Sequence, residues 1–316
     1  MRLISTNREP HSRLIPSRST GFGSLSIWTH HFRGIEYIPA FKPRDCPING
    51  TVAAARVAAG EIGGEIQTAM GNHDSIVVTG SNPDVGLVGW ITGGGHGMLS
   101  SSYGMGADNL LEATIVIPSG EALVANPCQN SDLFFAIRGG GGGTYGVVTE
   151  VVVKTYPTPK TTKHVFRLAA LSPNVTTEYW NLVGFIHAEM QRLKEGGMQG
   201  YYFMVGPPTY PVYAFYWLFG LFDKPNGTVE QLMAPIEERL KAQSNLFQYA
   251  SDIEYGDTYI DVFGAVTNED VASGGSAYGS WLLSPRSLAD PDITAKVFAQ
   301  IGPSNDASKS NVICAT

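Results

Sequence analysis

Two glycine-rich stretches hold the residues best suited to chemistry: Gly93-Gly94-Gly95-His96-Gly97 and the five-residue run Gly139 to Gly143. A peptide without side chains can lay its N–H groups against a phosphate or a flat ring, so such stretches read as a cradle for a dinucleotide. Each glycine costs about 0.5–1 kcal/mol of conformational entropy relative to alanine, so so many together need a reason. A linker would carry serine and polar neighbours, whereas these runs sit tightly among regular elements. Gly141-x-Gly143-x-x-Gly146 also matches the GxGxxG fingerprint. In the Rossmann fold that fingerprint follows a strand and opens a helix. Here a helix precedes it and the β-branched run Val147 to Val153 follows, so the Rossmann reading is rejected, and NAD with it. A P-loop is rejected too, because no Lys-Ser/Thr pair follows the glycines.

The elements around these turns are legible from periodicity. Ser24 to Trp28 and Ile35 to Ile38 read as strands on either side of Gly34, and Thr51 to Ala59 as a buried strand. Glu61 to Asn72 has helical spacing, with Ile62, Ile66, Ala69 and Met70 on one side. Ser75 to Thr79 is β-branched. Leu110 to Ile117 and Ala122 to Val124 form a hairpin about Pro118-Ser119-Gly120-Glu121. Ser131 is the N-cap candidate of a helix to about Arg138, and Val147 to Tyr156 is a strand closed by Pro157 and Pro159. Beyond Pro159 glycine thins and aromatics rise. Val175 to Leu193 and Val229 to Ala242 predict helices, and Tyr201 to Val205 and Val212 to Phe222 antiparallel strands. The expected fold class is α+β, with residues 1–158 as one domain and 159–316 as a second, a sheet covered by helices.

Composition limits the function classes. Hydrophobic residues at 43% support a sizeable core, and a net charge of −7 without a basic block argues against nucleic acid as partner. No apolar run approaches the ~18 residues of a membrane helix, and Met1 to Ser5 lacks a signal-peptide core. Cys46, Cys128 and Cys314 show neither zinc spacing nor a disulfide framework. Three N-x-[ST] sequons, at Asn49, Asn174 and Asn226, hint weakly at secretion. His30 and His31, read as strand residues, would point to opposite faces, so no metal site is expected.

An ordered series of blocks resembles one family. These are Gly93 to Gly97, Leu99-Ser100, Tyr103-Gly104, Gly106 to Asn109, Asn130 to Phe134, and Arg138 to Thr149. Together they look like the berberine-bridge-enzyme-like branch of the vanillyl-alcohol-oxidase flavoproteins, whose cofactor domain is of the PCMH type. The likeness runs from about Ser17 to Pro157 and more loosely beyond. The resemblance implies an FAD-dependent oxidase acting on a small organic substrate, with O₂ or another acceptor receiving the electrons, in secondary metabolism among other settings. It places FAD along Ser81, Asn82, Pro83, Val85, Gly86, Leu87, Val88 and Gly89, with Gly93, and along Gly143, Tyr145, Gly146, Val147 and Val148. Asn109 and Thr114 would lie near the adenine.

Departures from the family pattern are specific. The histidine that joins flavin covalently in relatives has no counterpart before Arg18-Ser19-Thr20-Gly21; His11 lies two positions too early. Asn82 replaces the cysteine of members with two covalent links and cannot form a thioether, so bicovalent attachment is excluded and non-covalent FAD is expected. Against this pattern both ends look clipped, as from a truncated or misjoined reading frame. Val85 falls at the gatekeeper position beside flavin C4a, where it is compatible with O₂ access or simply with packing. His96 either faces the active site or is satisfied by the backbone, the latter being favoured. Tyr201, Tyr213 and Tyr216 fit a pocket, but alternating aromatics in a strand more often fill a core. No catalytic base is assigned. The rival readings are a non-catalytic relic and a flavin-binding protein without redox turnover. The compartment stays open.

Overall fold

A computed structural model describes residues 3–6, 25–47, 49–264, 282–304 and 313–315. His11 and Arg18 to Gly21 lie outside the described residues. The fold is α+β and divides into two units, Met1–Thr158 with Tyr259–Tyr278, and Pro159–Thr258 with Gly279–Thr316.

The first unit is built on a six-stranded sheet. Its strands run Ile35–Phe41, Val52–Ala58, Val147–Pro157, Leu110–Val116, Ala122–Ala125, with Ser75–Val77 paired to the far end of Val147–Pro157. Every pairing is antiparallel. Val147–Pro157 takes the centre because its β-branched run suits a strand covered on both faces, and Val151, Val152 and Val153 are all buried. On one face Val151 and Val153 pack with Ala55, Val57, Ile66, Met70, Ala113 and Ile115. On the other, Val152 packs with Phe41 and Ala54.

Helix Gly63–Gly71 lays Ile66 and Met70 into the larger core. The sequence reading began this helix at Glu61. It begins later because Glu61 is engaged elsewhere: its carboxylate accepts the Gly34 N–H at 2.6 Å and pairs with Arg33 at 3.1 Å, while Ile62 bridges Gly86. A second correction concerns Ser131. It is the first residue of helix Ser131–Ile137, and Asn130, in a left-handed conformation, occupies the N-cap. His30 and His31 also depart from expectation. They occupy a turn after strand Leu25–Trp28, where their rings lie 5.2 Å apart rather than on opposite strand faces. Among the described residues no group of three or more His, Cys, Asp or Glu is placed to hold a metal ion.

The cysteines require the largest correction. Cys46 and Cys128 form a disulfide across 82 residues, with Cα atoms 5.2 Å apart. Spacing carried no sign of it, because two cysteines so distant in sequence meet only through the folded sheet. The bond ties down the loop beside Phe41, and a buried polar network reinforces it. Glu112 Oε2 accepts Arg44 N at 2.8 Å and Asn126 Nδ2 at 3.0 Å, while Asn126 also donates to Arg44 O. Asn126 Oδ1 in turn accepts the amides of Cys128 and Gln129, each at 2.9 Å. The buried carboxylate and carboxamide thus have partners, as burial requires.

The second unit is a five-stranded antiparallel sheet ordered Phe247–Gly256, Thr161–Ala170, Ala214–Phe222, Gln199–Val205, Ile313–Ala315. The expected strand and helix pairs of this unit are present, as Gln199–Val205 with Ala214–Phe222 and as Thr177–Glu195 with Thr228–Ala242. Phe166, Phe215, Trp217, Tyr213 and Tyr179 form the aromatic centre of its core. Tyr213 therefore belongs to the core, stacked on Tyr179 at 5.0 Å. Tyr201 and Tyr216 are half-buried, on the strand positions that alternate with the core residues. Helix Pro291–Ile301 was not anticipated, although Asp290-Pro291 is a start signal; Asp290 Oδ1 accepts the amides of Asp292 and Ile293.

Candidate functional site: the glycine cradle of the first unit

The two glycine stretches, separate in sequence, meet in space. The Gly141 amide donates to Thr92 O at 2.8 Å, and a Cβ built on Gly139 would lie 3.6 Å from Gly94 Cα. Short helix Gly106–Asn109 closes beneath them: Gly106 N donates to Gly95 O at 2.8 Å and Ala107 N to Gly94 O at 2.9 Å. Arg138 completes the bracket, donating from Nε to Ala107 O at 2.7 Å.

Many of these glycines are explained by the protein itself. A Cβ at Gly95 or Gly106 would strike the Trp90 ring, at 2.7 Å and 2.2 Å. Trp90 is fixed between them by its indole N–H, which donates to His96 O at 3.0 Å. A Cβ at Gly97 would sit 2.0 Å from Thr79 O, one at Gly140 2.2 Å from Ala136 O, and one at Gly146 2.5 Å from Val116 O. Three others have no such reason. Gly94 has nothing within 4 Å, Gly139 meets only Gly94, and Gly141 meets only the Thr144 hydroxyl at 3.7 Å. All three have positive φ, at 102°, 98° and 103°, which favours glycine. They cluster where the two turns meet. The nearby Gly142 and Gly143 amides donate to no backbone carbonyl among the described residues. The arrangement is a backbone-lined surface with donors to spare, suited to a phosphate or a flat acceptor ring.

A stability prediction separates the two kinds of glycine. Gly97→Ala forces its methyl against a backbone oxygen, and a loss of ~3 kcal/mol is expected, as for overpacking. Gly93→Ala meets its nearest atoms at 3.6 Å and is expected to change stability by less than ~1 kcal/mol. Urea unfolding midpoints of the two variants check this; equal midpoints would contradict it.

The segment Ser81 to Gly89 forms a tight turn running into helix Leu87–Thr92. Asn82 Oδ1 accepts the Asp84 amide at 2.8 Å, and the turn is stitched to helix Gly63–Gly71 by Gly64 N to Pro83 O and Gly63 N to Val85 O. Val85 is half-buried, 3.7 Å from a Cβ built on Gly80. Behind this segment, Gln67 Nε2 donates to Thr79 Oγ1 at 3.2 Å and also to Val77 O. Gly93 caps the helix. Gly143 has φ of 69° and Tyr145 is exposed, while Val147 and Val148 pair with Val116 and Ile115. Thr114 lies in that same strand pair, its carbonyl accepting Thr149 Oγ1 at 3.3 Å. Asn109 is buried with its side chain in use within the protein. Its Nδ2 donates to Tyr103 O and Met105 O, and its Oδ1 accepts the Tyr156 hydroxyl at 2.7 Å. The structure therefore joins the two glycine turns to Asn109's helix, and Thr114 to the strand after Gly146. Trp90 and Arg138, which hold the turns in place, were not singled out by sequence; a tryptophan inside a glycine-dense stretch was the available signal.

One constellation in the second unit looks hydrolytic and is not. His164 Nε2 lies 3.0 Å from Ser251 Oγ. The Trp217 indole N–H donates to His164 Nδ1 at 3.0 Å, so Nδ1 holds the lone pair and Nε2 the proton. The imidazole thus donates toward Ser251 and cannot take its proton.

Known proteins resemble this chain in sequence and in fold. The family described as FAD binding domain matches residues 16–126. The FAD-linked oxidoreductase apf9 of Gibberella fujikuroi is 34% identical over 285 residues, covering 86% of this chain and 49% of that protein. The VAO-type flavoprotein MtVAO713 from Myceliophthora thermophila C1 superimposes with a TM-score of 0.83 at 28% identity, over 95% of this chain and 54% of that one. The chain belongs to the VAO-type FAD-linked flavoproteins. A berberine bridge enzyme variant shares the fold, with a TM-score of 0.60 at 20% identity over 85% of this chain and 49% of that one. The chain spans about half the length of the curated relatives it matches, 49% in the case of apf9. Among the described residues, no helix of this flavoprotein is long and apolar enough to cross a membrane.

Proposed function

We propose that this chain forms the cofactor cradle and second unit of an FAD-dependent oxidoreductase acting on a small organic substrate in secondary metabolism. The single observation that carries the reading is the convergence of Gly94, Gly139 and Gly141, the glycines that protein packing leaves unexplained. These residues fit FAD: the Gly142 and Gly143 amides supply donors, and the bare backbone admits a close, flat partner. Bound FAD supplies a flavin N5 that accepts hydride from substrate, and the electrons leave to O₂ or another acceptor. The protein's part is to bind and orient. Ser81 to Gly89, with Gly93, and Gly143 to Val148 hold the cofactor, with Val85 beside it, and Asn109 braces the cradle from beneath through its three hydrogen bonds. We take attachment as non-covalent on two grounds: Asn82 offers no thiol for a thioether, and no histidine stands five residues before Arg18.

The test is a spectrum followed by acid. Purified protein, reconstituted with FAD if needed, is expected to show the visible absorption of oxidised flavin, and acid precipitation is expected to leave the flavin in the supernatant. Folded protein that stays colourless after incubation with FAD would sink the proposal. Flavin that stays in the pellet would overturn non-covalent attachment alone.

A further inference from the structure

We propose that Asn49 and Asn226 are N-glycosylation acceptors, and that the chain matures in an oxidising secretory compartment. Both belong to the same tripeptide, Asn-Gly-Thr. In both, the asparagine is exposed, and the central glycine has φ of 90° with no atom within 4 Å of where its Cβ would be. Two sequons from different units thus share one geometry: a left-handed glycine turn that holds the asparagine out in open solvent. Asn49 precedes strand Val52–Ala58, and Asn226 precedes helix Thr228–Ala242, so both acceptors lie on connecting segments rather than within packed elements.

The third sequon is built differently. In Asn174-Val175-Thr176 the central valine is buried in the second unit's core, and Thr176 is the N-cap of helix Thr177–Glu195. Asn174 itself is exposed, but the burial of Val175 and the helix start at Thr176 keep the tripeptide from the open turn of the other two, and Asn174 is expected to stay unmodified.

The second, independent observation is the Cys46–Cys128 disulfide. Such bonds form and persist where folding takes place under oxidising conditions, the setting in which N-glycans are added. Asn49 lies three residues from Cys46, whereas Cys128 is 82 residues further along the chain than Cys46. During synthesis the sequon is therefore available before the bond can close over it. The reaction is group transfer without redox change. The asparagine amide nitrogen attacks the anomeric carbon of a polyprenyl-diphosphate-linked oligosaccharide. A C–N bond forms, the C–O bond to the diphosphate breaks, and the nitrogen loses one proton as the diphosphate leaves.

Peptide mapping of the full chain purified from the organism that makes it tests this. Enzymatic glycan release in heavy-oxygen water converts each glycosylated asparagine to labelled aspartate. The expected result is label at Asn49 and Asn226, none at Asn174, and a linked peptide containing Cys46 and Cys128. Unlabelled asparagine at Asn49 or at Asn226 overturns that assignment, and reduced Cys46 and Cys128 overturn the compartment. Asn49→Gln and Thr51→Ala break one sequon at different residues. Each is expected to abolish label at position 49 while leaving Asn226 labelled, and this persistence separates lost modification from misfolding. None of these outcomes bears on the flavin proposal.

Discussion

Lowering the pH from 7 toward 4 is expected to remove about 6 kcal/mol of stability from the second unit, well before its carboxylates are all protonated. The source is two buried neutral histidines. Burial holds His164 down to about 4, and burial likewise holds His187 at about 4 against the opposing pull of its hydrogen bond to Val183 O. Both lie in one core, His164 against Trp217 and His187 between Tyr202 and Phe298. In the unfolded chain each titrates near its ordinary value of 6.5. The unfolded state therefore binds more protons between those two values, and stability is complete above pH 6.5 and lost as pH falls toward about 4. At about 1.4 kcal/mol per pH unit per proton, each histidine contributes ~3 kcal/mol over that window.

The hydrogen bonds give the same sign. Protonation of His164 puts a proton on Nδ1, where the Trp217 indole N–H already points. His187 Nδ1 lies 2.7 Å from Val183 O, which makes it the donor there, and Nε2 accepts the Tyr202 hydroxyl, also at 2.7 Å. Urea unfolding followed by fluorescence of the buried Trp180 and Trp217, at a series of pH values, measures the effect. The double variant His187→Phe/Tyr202→Phe replaces the hydrogen-bonded pair with apolar rings and is expected to remove about half of the slope. A flat stability curve between pH 6.5 and 4.5 in the parent protein would contradict the argument.

Reduction of the Cys46–Cys128 bond is expected to cost the first unit about 4 kcal/mol, from the entropy released to a loop of 82 residues in the unfolded chain. The loop from Lys42 to Pro47 should loosen first, since the disulfide anchors it beside the small core of Phe41, Ala54 and Val152. The Glu112–Arg44–Asn126 network persists on reduction and limits the damage in the folded state. Comparing Cys46→Ala/Cys128→Ala with the oxidised parent, by thermal unfolding with and without reductant, reads the difference. If reductant lowered the melting temperature of the double variant as much as that of the parent, the bond would not be the cause.

Local order, the flavoprotein family and the two glycine turns were legible without coordinates. Val147 to Val153 announces a central strand by β-branching, and the glycines before it cannot open a Rossmann helix because that strand follows them. Such signals act over neighbouring residues, where period and turn chemistry suffice. What the sequence could not apportion is which glycine serves which purpose. Gly95 and Gly106 are bare for the Trp90 ring and Gly97 for Thr79 O, whereas a Cβ on Gly94, Gly139 or Gly141 would meet no such neighbour. The same holds for Cys46 with Cys128, for Asn109 held by Tyr156, and for the tautomer of His164. Each depends on residues tens of positions apart, whose meeting is fixed by strand order and register rather than by spacing. The sequence by itself determined the family, the fold class and the glycine turns. Tertiary structure alone decided how those turns are joined, because close approach between distant backbones leaves no periodic trace along the chain.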